Sequence, residues 1–416
     1  VLFKVLAKYL KYYSQSKYIF FQSLTERLFF FILFLIFART YTNEIYGEII
    51  TIFTISNATA FLFNLGLPIY LQRETAINKN NVSRIYLESL IIQSVLSLIY
   101  FLLIFILINL FYGFVNNVIV FLIASSVYIF QLAATPNSIL NGFMKFKVQF
   151  LNLFITRIIV ISFILIFSFA FLKNIEISLL ILLISGLIYF VIQVIYIRIK
   201  FIKFSFSDIK LAEIPQLLTL TLPLYLAVIF NYLYDKVDVI IISKILDFTE
   251  VSIYNIGYGL FKASTLLFGF ILTSAYSRVS SLSKSKRAVK IFLKKYSVII
   301  ITITLLISVF LFIFSDVIIT GLYGEKYKDS GLILRILAPA IIILGMNNLT
   351  GNVLNALGLF RENMFVTLSG LLLNVIANIL FLQYYGIIAS AVITVLTEII
   401  ILTGDFYYIN KKLQYL

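Results

Sequence analysis

Five basic residues stand inside stretches that are otherwise apolar and as long as a bilayer is thick: Arg27, Arg157, Lys236, Lys262 and Arg335. Acids accompany some of them. Asp235 and Asp238 flank Lys236 in the run NYLYDKVDVIII (231–242), Glu26 precedes Arg27, and Glu398 stands alone. A charge at mid-bilayer costs about 2.5–3.5 kcal/mol, so five cations facing lipid would cost on the order of 15 kcal/mol. Their place is therefore the protein interior or a wet surface, such as an internal path that a charged substrate uses. The bland readings compete: Asp235, Lys236 and Asp238 as the water end of a helix, Glu26 and Arg27 as a structural pair, Arg157 and Arg335 snorkelling from near the ends of their segments. Glu398, isolated in mid-segment, requires a partner or a proton.

Helical spacing groups the polar residues, because positions three, four or seven apart share a face. Asn231, Asp235 and Asp238 form one such seam, and Asn255, Gly259 and Lys262 another with Tyr258 and Thr265 beside it. Asn57 and Asn64, then Gln131, Thr135 and Ser138, then Ser390, Thr394 and Glu398 form three more. On the wheel Lys236 points away from Asp238, so DKVD reads as two surfaces, an acidic seam and a separate lysine. Asn374 and Asn378 read as interhelical hydrogen bonds. No histidine, cysteine or tryptophan occurs, which excludes thiol chemistry, disulfides and the commonest metal ligand, and no cofactor or metal is implied. No phosphate-binding G-x-x-x-x-G-K-[ST] loop occurs, and NIGYGLFKAST (255–265) lies within an apolar segment, so an enzyme is not expected.

The elements that position these residues follow from composition. The chain has 416 residues, 62% hydrophobic and only 12% charged. Apolar runs recur near 19–38, 48–70, 86–110, 118–139, 150–172 and 177–197, and again near 216–244, 250–276, 292–315, 330–357, 364–383 and 386–409. Each is long enough to cross ~30 Å of hydrocarbon as a helix, and their continuity excludes the alternation of a barrel. Pro68, Pro136, Pro223 and Pro339 fall within or near these runs as candidate kinks. The short loops assigned to the cytoplasm hold 23 lysines and arginines and those assigned outside hold 5, which predicts both termini on the cytoplasmic side. The lysine-bearing start has no small-residue cleavage motif and reads as an uncleaved cytoplasmic segment. The net charge of +15 is thus mostly an insertion signal, scattered over loops in a way that excludes nucleic acid as a partner.

The halves echo each other. EIYGEI (44–49) followed by Arg73 is matched by EVSIYNI (250–256) followed by Arg278, with Gly47 and Ser252, like the two arginines, 205 residues apart. Six crossings per repeat leave both repeats in one orientation. The expected fold is an all-α integral membrane protein: twelve transmembrane helices in two six-helix lobes, 1–205 and 206–416, related by a pseudo-two-fold axis along the membrane normal around a central cavity.

The twelve-segment plan, LFNLGLPIYLQRETA (62–76), NGFMKFK (141–147), LTLPLYLAVIFNYLYDKVDVIIIS and EVSIYNIGYGLFK resemble the polysaccharide flippases of Wzx type, of the multidrug/oligosaccharidyl-lipid/polysaccharide exporter (MOP) superfamily. The resemblance covers almost the whole chain. It implies a transporter of the bacterial cytoplasmic membrane that moves undecaprenyl-pyrophosphate-linked oligosaccharide units, of O-antigen or another lipopolysaccharide or capsule glycan, to the outer leaflet by alternating access, with a proton or sodium gradient as the candidate driver. Its partners would be that lipid-linked oligosaccharide and the bilayer, with a glycan polymerase and chain-length proteins alongside. Lys262, Lys236, Arg27, Arg157, Arg73 and Arg278 would then attract the pyrophosphate. Asp235, Asp238, Glu398 and Glu26 would tune or couple, and Asn57, Asn64, Asn231, Asn255 and Tyr258 would line the cavity. A cation-coupled multidrug exporter of the same superfamily is the alternative, and a membrane enzyme or scaffold of glycan assembly a more distant one.

Overall fold

The computed structural model describes residues 2–77, 81–113, 115–167, 174–202, 209, 214–269, 272, 279, 282 and 285–414; side chains at 2–16, 214, 216, 220, 222–228 and 231 lie outside the description. Its elements are α1 (Leu2–Thr40), α2 (Asn43–Asn64), α3 (Leu67–Ile77), α4 (Val82–Phe111), α5 (Asn117–Leu132), α6 (Ala134–Gly142) and α7 (Phe146–Ile166). Then come α8 (Ile175–Lys200), α9 (Ile214–Ile245), α10 (Phe248–Ala263), α11 (Lys286–Tyr323), α12 (Ser330–Leu337), α13 (Ala340–Ala356) and α14 (Phe360–Gln414). Among the described residues there is no strand. The chain is an all-α integral membrane protein whose helices follow the twelve predicted segments in order, the solution forced by a solvent that cannot hydrogen-bond backbone groups.

The breaks have local causes. The second predicted crossing ends at Asn64 rather than near residue 70, because Leu65 and Gly66 turn left-handed, with φ of 53° and 71°, and α3 starts anew with Pro68 in its first turn. Proline there lacks only an N–H that the first turn would leave unpaired. Pro136 sits likewise in the first turn of α6, and Pro339 caps α13 where it bends 51° from α12. The 55 residues of α14 would extend about 80 Å as one helix, far beyond one crossing, and Gly386 divides it with φ 59°, ψ −158°. That conformation is open to glycine and strained for other residues.

The chain forms two compact units, one of Val1–Tyr41 and Ile52–Ile229, the other of Thr42–Thr51 and Phe230–Leu416. In the first, Leu67, Leu71, Tyr86, Ile139, Leu140, Ile197 and Leu217 pack an apolar core across α3, α4, α6, α8 and α9. In both units the ordinary arrangement is inverted on the outer helices. Leu98, Leu102 and Leu110 of α4 and Leu306, Ile313 and Val317 of α11 are exposed, while Glu88, Gln93, Thr304, Ser308 and Ser315 of the same helices are buried. Hydrocarbon solvates the former and the protein must pair the latter.

The two repeated motifs meet inside the second unit. A Cβ on Gly47 would collide with the backbone carbonyl of Phe248, so α2 and α10 touch backbone to backbone at the start of α10. Beside that contact Asn255 donates to the Tyr46 hydroxyl at 3.5 Å, and Asn43 donates to the Lys326 carbonyl at 3.0 Å. Gly47→Ala must force these helices apart. We expect it to lower stability by about 1–3 kcal/mol, the usual cost of overpacking, seen as a lowered melting temperature of the detergent-purified protein. Gly259→Ala, where an added Cβ meets nothing within 4 Å, should leave the melting temperature unchanged.

Candidate functional site

The second unit gathers the charges of the apolar segments into one network. Asp235 and Asp238 are one turn apart on α9, and Tyr254, Tyr258 and Lys262 follow at intervals of four on α10. The two helices therefore meet along matching stripes. Tyr254 donates to Asp238 at 2.7 Å, and Tyr258 donates to Asp235 at 3.0 Å. Asp238, 3% exposed, also accepts from Asn378 at 3.2 Å and Thr394 at 3.3 Å. Asn378 in turn accepts from Ser390 and donates to Asn374, which closes the cluster across the Gly386 break. A buried carboxylate is tolerable only with such a ring of donors.

One turn away the network meets solvent. Lys262 Nζ lies 3.0 Å from Asp235 and 3.9 Å from Glu398, and Lys236 Nζ lies 3.5 Å from Asp235. The Asp235, Lys236 and Lys262 side chains are 33%, 30% and 23% exposed, whereas Glu398 is buried and accepts from Asn347 at 2.6 Å. Two acids thus hold two lysines, with Asp235 shared between them. Lys236 is not the separate surface expected from the wheel: its flexible stem folds back to the neighbouring Asp235 while the ring of Tyr258 lies 5.6 Å from its ammonium. Glu398 has the partner that its isolation required. On the same helices Thr350 donates to the buried Asp405 at 2.6 Å, a bond with no counterpart in the sequence reading.

The first unit contains a cavity of about 420 Å³ bounded by α1, α2, α3, α5, α6, α7 and α8. Arg157 lines it from α7. It does not snorkel: the side chain is 3% exposed, with its guanidinium carbon 4.3 Å from the Phe29 ring centroid and 4.5 Å from that of Phe130. Its Nη2 lies 3.7 Å from Glu26, also on the cavity wall. Asn57 and Gln131 are lining residues, and Gln131 accepts from Asn64 at 3.2 Å. Tyr189 donates to Asn137 at 3.2 Å across the same wall.

The remaining predicted residues are dispersed. Arg27 and Arg73 are exposed and do not line this cavity, Asn255 turns to Tyr46, and Gly259 is exposed, so the α10 seam runs through Tyr254, Tyr258 and Lys262 instead. Arg335 pairs with Asp316 of α11 rather than reaching for water alone. Arg278 and the Asn231 side chain lie outside the described residues. Sequence reasoning missed Tyr254, Asn347, Asn137 and Gln149; the four-residue spacing Tyr254–Tyr258–Lys262 was the available signal for the first.

Comparison with known proteins agrees with this architecture. The profile of the family described as Polysaccharide biosynthesis protein matches residues 15–283, and that of MatE matches residues 223–380. An uncharacterized membrane protein of Methanocaldococcus jannaschii is 24% identical over 96% of this chain and 98% of its own length. The probable low-salt glycan biosynthesis flippase Agl15 of Haloferax volcanii is 25% identical over 44% of this chain and 40% of its own. The solved structure of the lipid II flippase MurJ, in an inward closed conformation, superposes with a TM-score of 0.74 at 19% identity, covering 96% of this chain and 89% of that one. The chain therefore belongs to the family described as Polysaccharide biosynthesis protein.

Proposed function

We propose that the protein is a flippase for a polyprenyl-pyrophosphate-linked oligosaccharide, undecaprenyl being the carrier, moving the head group outward across a bacterial cytoplasmic membrane. The observation that carries this reading is the Asp235–Lys262–Glu398 network, partly open to solvent on an otherwise apolar scaffold. Its lysines can exchange the Asp235 carboxylate for the pyrophosphate of an incoming lipid, whose prenyl tail stays in hydrocarbon. In this reading the lobes 1–205 and 206–416 alternate access. Asp238 is the group through which a proton or sodium ion couples, since its donors are all neutral and it has no cation among its hydrogen-bond partners. The Haloferax relative, a probable low-salt glycan biosynthesis flippase, points the same way. A cation-coupled multidrug exporter is the second reading, favoured by the three acids Asp235, Asp238 and Glu398 beside the two lysines Lys236 and Lys262 on the apolar helices and by the MatE match.

Proteoliposomes separate the two. We expect head-group translocation of a fluorescent polyprenyl-pyrophosphate oligosaccharide and none of a cationic dye; the reverse result would establish the exporter. Lys262→Ala should slow flipping about tenfold or more, the order expected when a charge-assisted anion contact worth at least 1.4 kcal/mol is lost; full-rate flipping by the normally inserted variant would sink the role given to Lys262. Asp238→Asn should leave protein level intact and make the flipping rate independent of an imposed proton or sodium gradient. The absence of cysteine allows orientation to be read without background. A membrane-impermeant maleimide added to intact cells should label Lys328→Cys and spare Arg361→Cys if both termini are cytoplasmic.

A further inference from the structure

The cavity of the first unit is built unlike the charged network of the second. Seven carboxamide side chains line it, Gln22, Asn57, Gln131, Asn137 and Gln149 among them, with only Arg157 and Glu26 charged and lying 3.7 Å apart. Two of its lining side chains also hold buried polar atoms without partners, set behind the accessible wall. The Nε and Nη1 of Arg157 are buried donors without a partner, and the Oε1 of Gln149 is a buried acceptor without one, Gln149 itself being 2% exposed. Leaving such groups unmet costs about 1–3 kcal/mol each. The lining carboxamides present donors and acceptors together, whereas an anion would meet only the donors and be opposed by Glu26 on the same wall. Hydroxyl groups donate and accept at once, and the rings of Phe30, Phe53 and Phe130 offer apolar faces beside the amides. The volume falls within the ~300–1,000 Å³ of small-ligand sites.

We infer that this cavity is a sugar subsite that reads the hydroxyls of an uncharged pyranose through its carboxamides, Arg157 and Glu26, and that it is separate from the groups that meet the pyrophosphate. The inference rests on the flippase reading for its biological ligand, but it is testable without transport. Specificity for the glycan is then set in the first unit, while the second handles charge. Arg157, wedged between aromatic rings and held near Glu26, serves as a hydroxyl donor here rather than as an anion trap.

The test is saturation-transfer NMR on the full chain in detergent, with the methyl glycosides of glucose, galactose, mannose and N-acetylglucosamine, methyl glucuronoside, and inorganic pyrophosphate. At least one neutral glycoside should bind saturably, the glucuronoside about tenfold more weakly than methyl glucoside, and pyrophosphate should not compete. Gln149→Leu removes an orphaned polar group and should fold at least as well as the parent, yet weaken the neutral glycoside about threefold or more. Glu26→Gln should raise the glucuronoside-to-glucoside affinity ratio about tenfold, a gain that misfolding cannot imitate. Absence of binding by every neutral glycoside, tighter binding of the glucuronoside than of any neutral glycoside, competition by pyrophosphate, or unchanged affinity in Gln149→Leu would each overturn the inference. Flipping by wild-type proteoliposomes distinguishes the two failures: transport without sugar binding leaves the flippase and removes the subsite, and sugar binding without transport does the opposite.

Discussion

The interaction on which the second unit depends is the set of hydrogen bonds that keeps Asp238 in a nearly dry interior. Tyr254 from α10, Asn378 from α14 and Thr394 from beyond the Gly386 break all donate to one carboxylate. Those donors fix the register of three helices at once, because sliding any of them by a turn would strand a buried polar group. The neighbouring Asp235–Lys262 pair then lies where that register puts it, and Glu398 comes to Lys262 by the same geometry. Packing between apolar side chains gains little from the hydrophobic effect when lipid is the alternative, so polar pairing carries a larger share of the specificity than in a water-soluble core.

The sequence made the helices plain and their partners obscure. Apolar length located each crossing, and prolines marked three of the breaks, but hydropathy is blind to a left-handed pair such as Leu65–Gly66 in an unbroken greasy run. Spacing placed Asp235 and Asp238 on one face. It misdirected the α10 seam because Asn255, Gly259 and Lys262 fit the same periodicity as Tyr254, Tyr258 and Lys262, and only a neighbouring helix decides between the stripes. Asp238 and Asn378 are 140 residues apart, and no local pattern announces such a contact. Sequence left open whether Arg157 snorkels or lines a cavity for a related reason: the aromatic rings that enclose it come from α1 and α5, so its burial is a property of packing rather than of its position within α7.

The two units divide their chemistry. One has carboxamides around a nearly neutral cavity, the other carboxylates and lysines beside a buried acid. For a ligand with an uncharged glycan and a charged linkage, such a division lets recognition and charge handling vary separately, so changes of glycan need touch only the amides. The exposed positions of Arg27 and Arg73 keep them out of the cavity, which leaves its selectivity to short-range hydrogen bonding rather than long-range field.

The Gly386 turn has a consequence for biogenesis. Asn378 and Ser390 are only twelve residues apart in sequence and bond directly across it. A turn that tight brings the amide and the hydroxyl face to face once both helices have formed. Two polar side chains that would each resist lipid alone can thus enter it as a satisfied pair, made after Asp238, and bring with them donors that complete the nest around it.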